Sequence, residues 1–366
     1  MEKIILKGKI NVIFDNIAFS LQTSGGVTGV WKELIEKILM NDKFDCRFLE
    51  YKLSNLNINR KLLMISDDIL IKKNIFSLFI ERFRDPKIEL NTPHIFHSSY
   101  YRVSTNKFSK NVTTVHDFIY ERFRSGLPLF VNYLQKRRSL LKSDAIICVS
   151  ENTRKDLLHY FPFLEKRKIF VVHNGVDSTV FKKLKVEKPD FIEKLGKYVL
   201  YIGNREQKHK NFFPLVESLK DHVDINLVLV GGGLPKLKEI KKINKYLNGR
   251  VVYLNNIDNS KLNLLYNFAF SLIYPSIYEG FGMPIIEAQS AGCPVIATRG
   301  SSISEIAYES AILVNNGTSM EISEAIDLLN NTNTRNDFIS LGLTNSKRFS
   351  WSKMAGEIAN IYESLL

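Results

Sequence analysis

Two glutamates separated by a glycine-rich loop are the residues of this chain best suited to binding a polar ligand. They are the first and last residues of the segment EGFGMPIIE, Glu279 at the start of the loop and Glu287 at the end of the segment. Pro284 suits the first position of a helix, so Glu287 would lie about one turn into that helix. Unpaired N–H groups at a helix start attract anions, and carboxylates accept hydrogen bonds from hydroxyl groups. The pattern predicts a sugar-nucleotide site, and the alternative is an ordinary strand-loop-helix unit with a capped helix.

The elements that would position these glutamates follow from the hydrophobic pattern. Short β-branched runs alternate with amphipathic stretches, which predicts parallel sheets joined by crossover helices. The strands expected in the first half are 10–14, 94–97, 112–116, 145–149 and 169–173. Those expected in the second half are 198–202, 226–230, 251–254, 271–274, 294–297 and 311–314. Residues 53–86 are interpreted as helical segments with an irregular insertion, and a charged stretch at 180–197 as the domain boundary.

A glycine-rich turn and a histidine are the candidate site residues of the first half. Gly25 and Gly26, in the segment SGGVTG, would let a phosphate approach helix N–H groups, or would serve only as a turn. His116 ends an apolar strand, and open α/β sheets bind ligands at that end. Asp117 would either orient the His116 ring or cap the next element. No nucleophile motif accompanies this histidine, so a serine-type triad is not expected.

Two further segments of the second half have the composition of phosphate sites. The segment YIGNREQKHKN at 201–211 contains Gly203, Arg205 and Lys210 after a predicted strand. Its positive charges would stabilise a departing diphosphate, and a solvated basic loop is the alternative. Gly232 is the middle residue of three consecutive glycines, which permit close approach of a ligand but also suit a plain turn.

Length, charge and cysteine content limit the kinds of protein that this chain can be. A length of 366 residues fits two domains. Residues 1–180 hold 29 Lys and Arg against 19 Asp and Glu, so most of the net charge of +13 lies there. No nucleic-acid module accompanies this charge, which leaves a peripheral contact with anionic lipid or a solvated basic face. No signal-peptide core or transmembrane run is evident, and three scattered cysteines suggest reduced, mostly buried thiols in a cytoplasmic protein.

The run YPSIYEGFGMPIIEAQSAGCPVIA at 274–297 resembles glycosyltransferase family 4, whose members are retaining enzymes of GT-B architecture. The resemblance extends over nearly the whole chain and is strongest between about 198 and 300. It implies an α/β protein with two Rossmann-like domains, whose parallel sheets face an inter-domain cleft. The implied division is an acceptor-side domain at 1–180, a nucleotide-sugar donor domain at 181–348, and a C-terminal helix at 349–366 that packs back on the first domain.

The resemblance also implies roles for the candidate residues. Glu279 would bind the transferred sugar, Glu287 the ribose, and Lys210 the diphosphate. Arg205 is the nearest substitute for a family arginine that directly follows the glycine, where this chain has Asn204. The implied catalytic residues are His116, Glu279, Lys210 and Arg205. The implied donor-binding residues are Gly25, Gly26, Gly203, Gly232, Tyr278, Phe281, Gly282, Met283 and Glu287.

The implied activity is transfer of a hexose from GDP-mannose or a UDP-sugar to a glycan or a lipid-diphosphate-linked acceptor in bacterial cell-surface polysaccharide synthesis. The enzyme would act in the cytoplasm or at the inner face of the plasma membrane. No metal, cofactor or nucleic-acid partner is expected, because GT-B enzymes generally need no metal and the chain lacks a DxD-type motif. A non-hydrolysing sugar-nucleotide epimerase and a non-catalytic nucleotide-sugar binding protein remain alternatives.

Overall fold

The computed structural model describes residues 8–73 and 77–366. The first seven residues, on which the prediction about a leader depends, lie outside these ranges. The chain divides into two units, one formed by the residues up to Asn174 together with Trp351–Leu366, and the other by Gly175–Ser350. The sequence predicted the first division at 180 and the second at 348.

The sheet of the first unit consists of seven parallel strands over the described residues, and they follow the spatial order β3-β2-β1-β4-β5-β6-β7. They are β1 (Ile10–Asp15), β2 (Phe44–Tyr51), β3 (Leu70–Lys73), β4 (His94–Ser98), β5 (Ser109–Val115), β6 (Ala145–Cys148) and β7 (Ile169–Val171). The helices between them are α1 (Ile17–Leu21), α2 (Gly26–Leu39), α3 (Ile58–Leu62), α4 (Leu78–Glu81), α5 (Ile119–Phe123), α6 (Leu127–Lys142) and α7 (Glu151–Tyr160). Central strands that are apolar on both faces, such as β6, are typical of a parallel sheet covered by helices.

Two strands of this sheet were not predicted from the sequence. Strand β2 carries Asp45, Arg47 and Glu50, which interrupt its apolar pattern. Glu50 is nevertheless buried, because it accepts hydrogen bonds from Asn16 at 2.7 Å and from Arg60 at 2.8 Å. Strand β3 is a short edge strand that ends in two lysines, and such strands seldom show a clear hydrophobic period.

The second unit repeats the architecture with six parallel strands in the order β10-β9-β8-β11-β12-β13. They are β8 (Lys197–Ile202), β9 (Ile225–Val230), β10 (Val251–Leu254), β11 (Ser271–Tyr274), β12 (Val295–Thr298) and β13 (Ile312–Val314). The helices are α8 (Asp190–Glu193), α9 (Phe212–Ser218), α10 (Leu237–Leu247), α11 (Asn259–Phe268), α12 (Met283–Ser290), α13 (Ser301–Ala307), α14 (Ser319–Leu328) and α15 (Thr332–Ser346). All six strands of this sheet were predicted within about two residues at each end.

The last helix, α16 (Trp351–Glu363), groups with the first unit. Its residue Tyr362 is fully buried, and the phenol oxygen lies 2.6 Å from Nδ1 of His97 on β4. Apolar residues at helical spacing, among them Met354 and Ile358, form the buried face of this helix. None of the helices in the described ranges is long and apolar enough to cross a lipid bilayer.

Candidate active site

The strand order of the second sheet reverses between β8 and β11, which are hydrogen-bonded neighbours. In open parallel sheets, ligands bind outside the carboxyl ends of the strands at such a switch point. Gly203 follows β8 directly, and the loop that contains Glu279 follows β11. The backbone N–H of Ile277 donates to the carbonyl of His209 at 2.8 Å, so the two loops are joined.

Lys210 and Glu279 form an ion pair at this switch point. Lys210 Nζ lies 2.6 Å from Glu279 Oε1, and the two side chains are 15% and 10% exposed. The phenol of Tyr274, the last residue of β11, lies 3.5 Å from the same ammonium group. Burial, reinforced by the Glu279 carboxylate, raises the pKa of Tyr274 well above its usual value. The phenol therefore stays neutral beside the ion pair. The structure thus brings together two predicted residues that are 69 positions apart in the sequence.

The loop of Glu279 is held by two serines that the sequence analysis did not single out. The backbone N–H of Glu279 donates to Ser301 Oγ at 3.1 Å. Ser302 Oγ lies 2.9 Å from the carbonyl oxygens of both Glu279 and Phe281, so these two carbonyls share its one hydroxyl hydrogen. Both serines open helix α13 just after β12. Their place at the carboxyl end of a predicted strand is the signal by which they could have been found.

Helix α12 begins at Met283, with Pro284 in the second position and not the first as predicted. Gly282 precedes it with a φ of 106°, a conformation that glycine adopts easily. Glu287 lies one turn into the helix and accepts a hydrogen bond from the Tyr266 hydroxyl at 3.0 Å. Burial raises the pKa of Glu287 to about 7, and this hydrogen bond opposes the rise. The sequence analysis did not single out Tyr266 as the hydrogen-bond partner of Glu287, because Tyr266 lies in α11 within an ordinary helical pattern.

Arg205 lies under the glycine-rich turn that follows β9. Its Nη1 and Nη2 donate to the carbonyls of Gly231 and Gly233 at 2.6 and 2.9 Å, and its Nε donates to Glu239 at 2.5 Å. The Arg205 side chain is only 3% exposed. These contacts show that the guanidinium holds the turn. A phosphate-binding role for Arg205 stays a prediction, and it would depend on the remaining N–H groups.

Gly232 occupies a position that tolerates no side chain. Its φ is 74°, and a Cβ atom would lie 2.7 Å from both Arg205 Nη1 and the Gly203 carbonyl oxygen. The turn therefore packs directly on the loop after β8. Gly203 itself has a φ of 139°, and a Cβ atom at this position would lie 3.8 Å from Lys210 Cε. Gly203, Arg205, Lys210 and Gly232 thus lie close together.

The remaining predicted donor-binding residues of this unit belong to the loop before α12. Tyr278 and Phe281 are 3% and 5% exposed. The Phe281 ring meets Phe349 edge to face with 5.8 Å between the centroids. Such burial fixes the loop backbone, so the N–H groups of Phe281, Gly282 and Met283 would need little reorganisation to bind a ligand.

In the first unit, His116 follows β5 and lines a cavity of about 320 Å³. Burial lowers the pKa of His116 to about 4, against the opposing charge of Asp117. The imidazole is therefore neutral at pH 7. Of the two predicted roles for Asp117, the structure shows the cap: its Oδ1 accepts a hydrogen bond from the Ile119 N–H at 3.0 Å.

A second histidine, His97, lies behind this cavity and was not singled out from the sequence. Its Nε2 contacts Thr114 Oγ1 at 2.9 Å, and its Nδ1 contacts Tyr362. Burial, together with nearby His116, lowers the pKa of His97 to about 3. Thr114 lines the same cavity as His116, so α16 reaches the cavity wall through Tyr362 and His97.

Gly25 and Gly26 form the start of α2, where Gly25 is the N-cap residue. The Gly25 carbonyl accepts hydrogen bonds from Thr28 Oγ1 at 3.0 Å and from the Gly29 N–H at 3.1 Å. Gln22 and Val27, on either side of the two glycines, line the cavity that contains His116. The predicted glycine loop and the predicted histidine therefore meet at one cavity of the first unit.

Comparisons with known proteins agree with this geometry. Residues 184–342 match the family described as Glycosyl transferases group 1, and residues 74–180 match Glycosyltransferase Family 4. The chain belongs to the family 4 glycosyltransferases. Its two parallel-sheet Rossmann-like units are those of the GT-B fold.

Curated relatives of this glycosyltransferase include enzymes of O-antigen synthesis. It is 26% identical over 279 residues to O-antigen chain mannosyltransferase B of Escherichia coli, and the aligned region covers 71% of this chain and 72% of that protein. It is 30% identical over 201 residues to O-antigen chain mannosyltransferase RfbU of Salmonella typhimurium, and the aligned region covers 51% of this chain and 54% of that protein. The match to the latter thus spans about half of each chain.

Solved structures of the same fold extend over the whole chain. Sucrose-phosphate synthase from Thermosynechococcus elongatus superimposes with a TM-score of 0.75 at 17% identity and covers 98% of this chain and 99% of its own. Anabaena Alr3699/HepE, solved in complex with UDP and glucose, gives a TM-score of 0.71 at 17% identity, with 97% and 100% covered. At such identities the likeness shows the fold alone.

Proposed function

We propose that this glycosyltransferase moves a hexose from a nucleotide-diphosphate sugar to a glycan or lipid-linked acceptor of cell-surface polysaccharide, with retention of configuration. GDP-mannose and UDP-hexoses are the candidate donors. The single observation that carries the proposal is the Lys210–Glu279 pair, with 2.6 Å between its charged atoms at the switch point of the second sheet. A cation and a hydroxyl acceptor side by side suit the diphosphate and the sugar of one donor.

The roles of the surrounding groups follow from their chemistry. Lys210 would neutralise the diphosphate as the glycosidic bond breaks, because the leaving group gains negative charge in the transition state. Glu279 would accept hydrogen bonds from hydroxyls of the transferred sugar, assisted by the N–H groups at the start of α12. Glu287, already hydrogen-bonded to Tyr266, would accept from the ribose hydroxyls. The neutral imidazole of His116 would contact the sugar near its anomeric carbon.

Retention is proposed without a covalent intermediate on Glu279. Its carboxylate is paired with Lys210 and its backbone is fixed by Ser301 and Ser302. Such a carboxylate is suited to holding hydroxyls, and ion pairing weakens it as a nucleophile. In this scheme the departing phosphate takes the acceptor proton on the face where the new bond forms. A glycosyl group found covalently attached to Glu279 would overturn this part of the proposal.

The test is donor binding by the full chain, followed by transfer. We expect UDP-glucose or GDP-mannose to raise the midpoint of thermal unfolding, because a ligand of the native state stabilises it. Lys210→Met should abolish most of this shift, whereas Lys238→Met should leave it intact, since Lys238 is an exposed lysine of α10. Turnover with an added acceptor should persist in excess chelator, because no metal is expected to take part.

The outcomes separate this function from its alternatives. Release of nucleoside diphosphate that depends on an acceptor indicates transfer. An epimerase would convert the donor sugar without any acceptor, and a binding protein would shift its unfolding midpoint without turnover. Failure of every nucleotide sugar to bind, or equal binding by wild type and Lys210→Met, would refute the proposed donor site.

A further inference from the structure

A row of three hydrogen-bonded side chains connects the last helix of the protein to the wall of the cavity that contains His116. Tyr362 of α16 is fully buried, and its phenol oxygen lies 2.6 Å from Nδ1 of His97. On the other side of the ring, His97 Nε2 lies 2.9 Å from Oγ1 of Thr114. Thr114 is partly exposed and lines the cavity. The row therefore runs from the protein interior to a hydroxyl group that a ligand of the cavity can reach.

The His97 ring is held in one orientation by its aromatic neighbours. Trp31 meets it edge to face, with 5.0 Å between the centroids and 87° between the ring planes. Tyr362 meets it at 5.9 Å and 88°. The His97 side chain has no exposed surface. Its two ring nitrogens therefore keep their separate partners, because a flip of the ring would require closely packed neighbours to move.

The direction of these hydrogen bonds follows from the number of hydrogens that each group carries. Burial, together with nearby His116, lowers the pKa of His97 to about 3, so the ring is neutral and has one N–H. Within the described residues, His97 Nδ1 is the only hydrogen-bond partner of the Tyr362 hydroxyl. A buried hydroxyl hydrogen without an acceptor is strongly unfavourable, so Tyr362 donates to Nδ1. The hydrogen of the ring is then on Nε2, and His97 donates it to Thr114 Oγ1.

Thr114 accepts this hydrogen bond and still has its own hydroxyl hydrogen to donate, since a hydroxyl can accept and donate at once. In the part of the chain that the structure describes, His97 is the only hydrogen-bond partner of Thr114 Oγ1. Because Thr114 also lines the cavity, its hydrogen is available to an oxygen atom of a bound ligand. With the ring hydrogen on Nδ1 instead, Thr114 would donate to His97 and could offer the ligand only a lone pair.

Thr114 and His116 are placed to contact the same sugar. They are two positions apart at the carboxyl end of β5, and both line the cavity. Residues two apart in an extended chain project to the same side, with about 6.5 Å between their Cα atoms. A hexose with its hydroxyl groups spans a distance of this order. Since the proposed function places the transferred sugar beside His116, an oxygen of that sugar would lie within reach of Thr114.

We infer that the Thr114 hydroxyl is a further substrate-binding group, which donates a hydrogen bond to an oxygen of the transferred sugar. Tyr362 and His97 are positioning residues that fix the direction of this hydrogen bond. The inference rests on the proposed function and adds a specificity-determining contact to it. A donor whose sugar lacks that oxygen, such as a deoxyhexose, would bind without gaining the contact.

The first experiment determines which nitrogen of His97 carries the hydrogen, by nitrogen-15 NMR of the full chain labelled at histidine. The His97 signals are assigned by comparison with His97→Gln. We expect the Nε2–H tautomer throughout the range from pH 5 to pH 8, because burial keeps the ring neutral. In Tyr362→Phe the Nδ1 signal should shift toward that of a nitrogen without a hydrogen bond, which a purely space-filling Tyr362 would not cause. An Nδ1–H tautomer, or an Nδ1 signal unchanged in Tyr362→Phe, would overturn the inference.

The second experiment measures by calorimetry how much the sugar adds to the affinity for the donor. Binding of UDP-glucose and GDP-mannose to the full chain is compared with binding of UDP and GDP. Thr114→Val should weaken binding of the nucleotide sugar about three- to tenfold, the loss of one neutral hydrogen bond, and leave binding of the nucleoside diphosphate unchanged. Thr114→Ser keeps the hydroxyl and should restore the wild-type affinity.

Thr113→Val is the matched control, because the same change is made one position earlier in β5. Its side chain projects to the opposite face of the sheet, where Oγ1 lies 2.9 Å from Ser139 Oγ of α6. Thr113→Val should leave both affinities unchanged, and circular dichroism checks that every variant folds. Equal effects of Thr114→Val and Thr113→Val would overturn the inference. So would an equal loss of nucleotide sugar and nucleoside diphosphate in Thr114→Val, since the lost contact would not be to the sugar.

Failure of this inference is distinguishable from failure of the proposed function. A chain that binds a nucleotide sugar equally well with Thr or Val at 114 refutes the sugar contact and leaves the transferase proposal standing. A chain that binds no nucleotide sugar refutes the transferase proposal, and with it the sugar contact of Thr114. The NMR measurement of His97 needs no ligand, so it tests the direction of the hydrogen bonds in either case.

Discussion

Replacing Glu287 by glutamine is predicted to change how the stability of the protein depends on pH. Burial raises the pKa of Glu287 to about 7 from a usual value of 4.5. Between these two values the native state binds a proton that the unfolded state has released. The protonated Glu287 carboxyl therefore contributes to the stability of the native state. This contribution to the free energy of unfolding is fully present below pH 4.5 and is lost as pH rises through 7.

The size of this effect follows from the two pKa values. Across the range from pH 5 to pH 8, the Glu287 contribution to the free energy of unfolding should fall by about 2 to 3 kcal/mol. The Glu287→Gln variant has no proton to lose at this position, but it retains every other titrating group. The difference between wild type and variant should therefore change by that amount, whatever the other groups contribute.

Urea unfolding at pH 5 and pH 8 measures this difference. Circular dichroism is a better signal than tryptophan fluorescence here. Both tryptophans, Trp31 and Trp351, belong to the first unit, so their fluorescence would not report directly on the unit that contains Glu287. Tyr266→Phe is a second variant, which should raise the pKa of Glu287 further by removing its hydrogen bond. If wild type and Glu287→Gln show the same pH dependence, the carboxyl titrates normally and the reasoning from burial is wrong.

Two further predictions concern the loops around the ion pair. Gly232→Ala should lower the free energy of unfolding by about 1 to 3 kcal/mol more than Gly233→Ala, because both residues have φ near 75° but only at 232 does a Cβ meet other atoms within 4 Å. Urea unfolding of the two variants tests this, and equal losses would contradict it. Ser302→Ala should cost about 1 to 3 kcal/mol and weaken donor binding, since the two carbonyls of the Glu279 loop lose the one hydroxyl hydrogen that they share. Unchanged unfolding and unchanged donor affinity in this variant would contradict the assigned role.

The sequence predicted most of the strands because their apolar runs are continuous. All six strands of the second sheet and five of the first have cores of Val, Ile, Leu and Phe that need no tertiary information. Strand β2 was missed because Asp45, Arg47 and Glu50 interrupt its apolar pattern, and the sequence alone does not show that Arg60 neutralises the buried Glu50. The helices predicted for the second unit, at 211–219, 234–244, 261–268, 284–290 and 319–329, do not include α13 and α15, because Ser, Thr and Asn dominate the first turns of these two and weaken the helical signal.

The site was predictable to the extent that its parts are contiguous in sequence. The segment from Glu279 to Glu287 contains its own loop, glycines and helix start, so its chemistry could be inferred without a fold. The contact between Lys210 and Glu279 needed the strand order, because it depends on β8 and β11 being neighbours. Arg205 shows the opposite case: its spacing suggested a phosphate ligand, but its guanidinium is bound to the turn at 231–233.

The support of the ion pair explains why its parts are scattered through the second unit. The Lys210 side chain lies near Gly203, whose carbonyl oxygen lies close to Gly232, while Glu279 is held by Ser301 and Ser302. These six residues follow four strands, β8, β9, β11 and β12, and all four strands end at the same edge of one parallel sheet. Because parallel strands deliver their carboxyl ends to a common edge, groups from distant segments can be positioned within hydrogen-bond distance without a long loop. The pair is therefore a consequence of the strand order as much as of the motif that contains Glu279.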